Sequence, residues 1–433
     1  MSIAITGAKV LTPDGMVEAD LLVTGSTIAG VGSDIPIPRD ADVIDAAGAV
    51  IIPGLVDLNA HLREPGHEEA ETIETGSRGA ALGGYTAVVA MPDTKPAIDS
   101  LSLVRDVRKI AERALCEVVP AAALTVGRKG EFLAPMGELA AEGVRVFSDA
   151  GRGVQDPAIM RSIMEYATGL HVVTGGSPVV LAQHCEVEAL TAGGHMHEGE
   201  WATRLGMKGQ PSEAETLMMS RDIALARMTG ARLHFQHIST AGSVELVRSA
   251  KAEGLAVTAE VATHHFTLTD AACANYDPVF KVSPPLRTDD DIAAVRGGLA
   301  DGTIDCIVTD HAPHEPHTKE FPFDQAPTGM LGFESALAVA LTELDLPIER
   351  IVELMSIRPA EIAGIGNRHG ALIASGNRAN LAIVDPDQSW TIDGQAMASR
   401  SHNSPYGGRE VTGKVTHTIY EGDLVVANGV ATK

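Results

Sequence analysis

An alternation through the middle of the chain constrains the fold most. From about residue 51 to 365, short apolar runs recur: IIPGLVDLNAH, YTAVVAMP, CEVVPAAAL, GVRVFSD, PVVLAQH, RLHFQHIS, LAVTAEVATHH and IDCIVTDHAPH. Between most of them fall helix-like segments such as SLVRDVRKIAERAL, AIMRSIMEYATGL, EAETLMMSRDIALARMT and AGSVELVRSAKAEG. Strands that are apolar throughout, each followed by an amphipathic helix, indicate a parallel sheet covered on both faces. Eight such strands over roughly 300 residues predict an α/β fold, a (β/α)8 TIM-like barrel with some insertions. Aromatic residues make up only 3% of the chain, so small and branched aliphatic side chains must fill the core.

Both ends of the chain read differently. The N-terminus alternates short apolar runs with turn signals (IAITGAKVLTPDG, DLLVTGSTIAGVG, ADVIDAAGAVIIPG), and the C-terminus repeats the style in ANLAIVDPD, SWTIDG and THTIYEGDLVVANG. Short strands joined by Gly and Pro-Asp-Gly turns fit both. We therefore expect a small composite β-domain built from residues 1–50 and 366–433, around a barrel of residues 51–365.

Polar residues gather where the predicted strands end. Strand one ends in Asp57, Asn59, His61 and Arg63, and strand four in Ser148 and Asp149. Strand five ends in His184, strand six in His237, strand seven in His264 and His265, and strand eight in Asp310, His311 and His314. In a barrel all these ends converge on one face, the face on which barrel enzymes place their chemistry. A lone histidine is more often a satisfied core residue, but several at equivalent strand ends point to a shared metal site. Imidazole and carboxylate together suit Zn²⁺ or a similar divalent ion, which lowers the pKa of bound water and polarises a carbonyl. Cys185 and Cys306 neighbour these candidates, but strand alternation turns neighbours to opposite faces, so both are expected to be packing residues.

Composition excludes several functions. The formal net charge of −24 repels nucleic acid and anionic membranes. No stretch approaches the roughly 20 apolar residues needed to span a bilayer, and the N-terminus lacks a basic segment followed by an apolar run. Four scattered cysteines with no C-x-x-C pair suit a reducing compartment. A cytoplasmic protein is expected.

The stretches PGLVDLNAHLREPG, HISTAG, KVSPPLR, IVTDHAPH and GMLGFE, together with HEGEWATRLGMKGQPSEAETLMMSRDIALA between strands five and six, resemble those of class I dihydroorotases in the amidohydrolase superfamily. The terminal ANLAIVDPD resembles the family's composite β-domain, so the likeness spans essentially the whole chain. It implies interconversion of N-carbamoyl-L-aspartate and L-dihydroorotate in pyrimidine synthesis, with one or two zinc ions. It assigns His61, His184 and His237 as metal ligands, and Asp310 as both metal ligand and general base. Arg63 and His314 match substrate-contacting positions, and the loop at Thr328 and Gly329 matches a backbone contact to the substrate ring.

Four positions depart from the family pattern. Asn59 stands where the first strand-one histidine is expected, and Ala150 where a strand-four aspartate bridges two metals. Asp93 and Ser283 each replace an asparagine at substrate-binding positions. Ala150 cannot ligate and Asn59 offers only a weak amide oxygen, so His61, His184, His237 and Asp310 are expected to hold one zinc ion, with two left open. Asp149, one residue before Ala150, should normally point elsewhere. Asp93 places a carboxylate beside the expected substrate carboxylate, a repulsion unless it is protonated or paired with Arg63.

The leading expectation is a dihydroorotase-like cyclic amide hydrolase acting on a small-molecule substrate and forming a homo-oligomer. Two alternatives stay open: a non-catalytic homologue that scaffolds aspartate transcarbamoylase, and a related cyclic amidase with another substrate. Hydantoinases and allantoinases bridge their metals with a carboxylated lysine from strand four. This chain has no lysine between Lys129 and Lys208.

Overall fold

The computed structural model describes residues 2–433. Eight parallel strands line up in chain order: Leu55–Ala60, Tyr85–Ala90, Glu117–Pro120, Val146–Ser148, Val180–His184, Leu233–Gln236, Val257–Ala262 and Cys306–Val308. The first three pair successively, and so do the last five. Two short contacts complete the ring. Ser148 N–H donates to Ala122 O at 2.9 Å, and His61 N–H donates to His311 O at 2.8 Å. The barrel is therefore closed, with every strand's C-terminal end on one rim.

Alternation within the strands builds two apolar layers. Val146, Val180, Ala182, Cys306 and Val308 pack together inside the ring, while Phe147, Leu181, Phe235 and Ile307 pack outward among the helices. Cys185 lies in the outer layer and Cys306 in the inner one, both buried, so both are packing residues. Cys306 nevertheless shares the inward face with Val308, not the opposite face that neighbour alternation suggested; it simply lies deep in the barrel.

The helices begin at side-chain caps the sequence provides. Thr72 and Thr288 form capping boxes before Ile73–Leu82 and Asp289–Asp301, and Asp156 caps Pro157–Thr168. Asp222 of Glu213–Thr229 accepts from Gln183, beside His184 on the fifth strand, at 3.0 Å, and Ala241–Ala252 packs against the seventh strand.

Both termini share one nine-stranded sheet. Val50–Pro53 pairs parallel with Ser2–Thr12 on one side and antiparallel with Leu381–Thr391 on the other, which joins the two ends of the chain. Ile5, Val10, Leu21, Ile51, Ile383 and Ile419 form its core. No helix is long and apolar enough to cross a membrane.

Glu117, at the start of the third barrel strand, ties the barrel to the segment leading back into this sheet. It accepts from Arg368 Nε at 2.7 Å and from His369 Nε2 at 2.7 Å. Burial opposes its charge, but the hydrogen bonds from His369 and Arg368 outweigh that and bring the carboxyl from 4.5 to about 2. Because the folded value lies below the unfolded one, the stabilisation is complete above the unfolded value and disappears as pH falls towards the folded value. Glu117→Gln should thus lower the unfolding free energy at neutral pH, and the gap to the parent should close between pH 4.5 and about 2. Denaturant melts across that range check this; a gap of constant size would mean that the contact is not ionic.

Candidate active site

The strand ends surround a cavity of about 380 Å³ on the C-terminal rim. His61, Arg63, Asp93, His184, His237, Ser283, Asp310, His314, Thr328 and Gly329 all line it, as do Asn59 and Ala150. Asp57, Ser148, Asp149, His264, His265 and His311 do not. A larger cavity of about 830 Å³ lies beside the start of the third strand and gathers none of the candidate residues.

His61 and His184 are each oriented by a carboxylate. His61 Nδ1 donates to Asp93 at 2.8 Å, which turns Nε2 towards Asp310, 3.5 Å away. The Nε2 of His184 lies 3.4 Å from Glu186, and its Nδ1 faces His237 Nε2 at 3.0 Å. Carboxylate partners of this kind fix the orientation of metal-binding imidazoles. Burial opposes the imidazolium of His61, but the charge of Asp93 and hydrogen bonds to Asp310 and Asp93 prevail and push it up to about 9. Burial would raise Asp310, yet its bond to His61 and the charges of His237 and His264 hold it well below the usual carboxylate range. Asp310 is therefore a charged acceptor at neutral pH.

The expected ligands come as two couples, His61 with Asp310 and His184 with His237. Among the described residues no three His, Cys, Asp or Glu side chains form a ready-made metal cage. Their chemistry nonetheless fits a divalent ion. Neighbouring nitrogens in a tetrahedral zinc shell sit about 3.3 Å apart, close to the spacing of the His184–His237 couple. The buried Asn59 Oδ1 also lacks a protein partner.

The departures from the family pattern acquire physical roles. Asn59 Nδ2 donates to Glu260 at 3.0 Å, and Glu260 in turn contacts His234 Nε2 at 2.9 Å. Asp149 accepts from the backbone of Leu124 and Thr125 at 2.8 and 3.1 Å and from the Thr125 hydroxyl, so its carboxylate braces the third-strand loop outside the cavity. Asp93 is paired, as the alternative to repulsion required: Arg63 donates to it at 2.9 Å. Burial opposes the charge of Asp93, but His61 and Arg63 more than offset this and hold its carboxyl far below the usual range. The Ser283 hydroxyl donates to Glu186 at 3.0 Å.

On the strand-eight side, His314 Nε2 donates to Thr328 O at 2.8 Å. Burial and the charge of Arg63 push His314 down to about 3, so its ring is neutral. Gly329 adopts φ 145°, and a Cβ there would lie 2.8 Å from both Ala312 O and His314 Nε2. Only glycine lets this loop approach so closely. A segment following the Leu381–Thr391 strand latches the rim: Asn403 Nδ2 donates to Ala312 O at 3.0 Å and Gly329 O at 3.1 Å, and Ser399 bonds the buried Glu71.

Residue-by-residue reading missed four polar cavity-lining side chains: Arg128, Glu186, Gln210 and Gln236. Glu186 had a signal, since it follows His184 by two residues. Gln236 accepts from Ser148 at 2.8 Å and lies deep in the barrel. Arg128 carried none beyond its place after strand three. Four of the seven described non-glycine residues with positive φ are Arg63, Arg128, His237 and Asp310, so the backbone strain of this chain concentrates at the cavity.

A closed parallel barrel whose rim presents imidazoles, an ionised aspartate and a guanidinium defines a hydrolase of the amidohydrolase class. The Dihydro-orotase-like family matches residues 48–243. The chain is 47% identical to the dihydroorotase of Mycobacterium leprae, covering 98% of each. It is 44% identical to that of Pelotomaculum thermopropionicum over 99% of this chain and 100% of the relative. This chain belongs to the dihydroorotase family. Its fold also matches the L-hydantoinase (dihydropyrimidinase) of Arthrobacter aurescens, with a TM-score of 0.88, 25% identity and coverage of 100% and 97%.

Proposed function

We infer that the chain is a dihydroorotase, interconverting L-dihydroorotate and N-carbamoyl-L-aspartate in pyrimidine synthesis. The observation that carries this is the convergence of Asp310, Arg63, His314 and the Thr328–Gly329 loop on one cavity, in a chain of this family. In ring opening, a water oxygen bonds to the ring amide carbon, the carbon–nitrogen bond breaks, the nitrogen gains a proton, and the new carboxylic acid releases one.

Asp310 takes the proton from the attacking water and passes it to the departing nitrogen. Arg63 binds the carboxylate present on both sides of the reaction, and Asp93 and the Pro313 carbonyl, 2.9 and 3.0 Å from it, fix its direction. Neutral His314 holds the Thr328 carbonyl so that the Thr328–Gly329 backbone faces the ring. Ser283 acts on the opposite wall by orienting Glu186, and through it His184. Zinc, one ion per chain, would be held by donors from His61, His184, His237 and Asp310, and supplies Lewis acidity.

The four cysteines are free and buried, which supports a reducing, cytoplasmic setting. A homo-oligomer and an association with aspartate transcarbamoylase are proposed on the family resemblance alone. The test is turnover of both compounds by purified, zinc-loaded chain, with metal content measured on the same sample. Activity in both directions with about one ion per chain is expected. A folded, zinc-loaded chain that converts neither compound would overturn the reading in favour of scaffolding.

A further inference from the structure

Lys319 lies in the loop that follows strand eight, between His314 and Thr328. Its Nζ meets three backbone carbonyls, Pro327 O at 2.8 Å, Pro278 O at 3.0 Å and Lys281 O at 3.4 Å, and no carboxylate stands within ion-pair distance of it among the described residues. An ammonium has three donors and no acceptor, so three converging carbonyls satisfy it completely. Brought together without a cation, the same three oxygens would repel one another.

The carbonyls come from two loops. Pro327 belongs to the loop of Lys319 itself and directly precedes the Thr328–Gly329 backbone. The next carbonyl, Thr328 O, is the one His314 holds at 2.8 Å, so two side chains of one loop pin consecutive peptide groups. Pro278 and Lys281 belong to the loop after strand seven, which continues into Val282 and Ser283 on the cavity wall. That loop answers in kind. The buried Lys281 donates from Nζ to Asp324 O at 3.1 Å and stands over the Phe323 ring, 5.7 Å from its centroid. Between the two lysines, Gly329 N–H donates to Lys281 O at 2.9 Å. The loops after strands seven and eight are therefore cross-stitched, each by a lysine of its own onto carbonyls of the other.

Loops on a barrel rim are ordinarily its most mobile parts. Here they carry two facing portions of the cavity wall, and the ammonium fixes the distance between them. We propose that Lys319 is a positioning residue: by gathering the Pro327, Pro278 and Lys281 carbonyls it sets the Thr328–Gly329 backbone against the Val282–Ser283 wall, and so sets the affinity for both compounds of the reaction. This rests on the dihydroorotase reading. Lys319 does not line the cavity and takes no proton in the reaction.

A wall that grips substrate and transition state alike contributes to KM and not to kcat. Burial and the charge of Lys281 push Lys319 down to about 7, against the pull of Asp277, so the test is made where the ammonium is formed, at about pH 6. Lys319→Met keeps the length of the side chain and removes every donor. It should raise KM for L-dihydroorotate and for N-carbamoyl-L-aspartate by roughly 10-fold, the worth of one charge-assisted hydrogen bond, with kcat within about threefold of the parent. Lys319→Arg, which returns a cation with several donors, should lie closer to the parent. Hydrogen exchange in Lys319→Met should quicken together in residues 278–283 and 316–329. Lys319→Gln, with two donors and no charge, carries the same test should the methionine variant fail to fold. A lysine that served stability alone would lower the melting temperature and leave KM unchanged; that outcome, a loss confined to kcat, or unchanged exchange in either loop would overturn the proposal. If the parent chain turns over neither compound, the functional reading fails, while exchange in the two loops still decides whether Lys319 holds them.

Discussion

Asp310→Asn should lower turnover in both directions by at least ~10²-fold, the usual worth of a positioned general base. The substitution is close to isosteric but removes the negative charge, and with it both the capacity to accept a proton and much of the strength of Asp310 as a zinc donor, so metal content is measured on the same sample. It also suits the backbone. Asp310 sits at φ 48°, in the left-handed region that asparagine tolerates better than other side chains except glycine. The ring closure beneath it depends on backbone atoms of His61 and His311, which the substitution leaves in place. Folding and melting should therefore be unchanged, and KM should change far less than kcat, because Arg63 and His314 still hold the substrate. Steady-state kinetics with both compounds checks this. A variant retaining more than about a third of the parent's kcat would remove Asp310 from the role of base.

The second large effect concerns metal content. Asn59→His combined with Ala150→Asp should raise the bound divalent metal from about one ion per chain to two. The first change returns an imidazole beside Glu260, whose carboxylate already accepts from residue 59 at 3.0 Å and can orient the new ring. The second places a carboxylate at a position that already lines the cavity, which Asp149 cannot do because three donors from Leu124 and Thr125 hold it outside. Elemental analysis after removal of loosely bound metal gives the count. In a dihydroorotase limited by its metal site, kcat should rise at least ~10-fold, since Lewis-acid stabilisation is worth several kcal/mol. Two ions in the parent chain, or no gain in the double variant, would show that these positions do not set the stoichiometry.

The barrel was legible because strands such as YTAVVA and the helices between them follow different periods, and because a closed ring brings the C-terminal ends together whatever their distance in sequence. That rule alone gathers His61, His184, His237 and Asp310. It cannot tell which polar residues at a strand end face inward. His311 and Asp310 are adjacent, yet His311 stacks on Phe333 and contacts Glu71 outside the cavity. Sequence left the state of Asp93 open: a hazard to an anionic substrate unless protonated or paired with Arg63. The fold selects the pairing and adds His61, which the sequence did not indicate, so that the charge of Asp93 orients both. Arg128 was invisible because its direction depends on two carbonyls of another strand. The segment around Asn403 has neither helical nor strand period, and its function lies entirely in contacts across the rim.

The latch made by Asn403 has a consequence for biosynthesis. Every side chain assigned to chemistry leaves the ribosome before it, since Gly329 is the last of them in the chain. Domains tend to fold as they emerge, N-terminal parts first. The barrel can therefore close while the loops carrying His314 and Gly329 still lack the donor that clamps their carbonyls. The C-terminal stretch acts as the finishing stitch, and the catalytic rim becomes rigid only once nearly the whole polypeptide has been made.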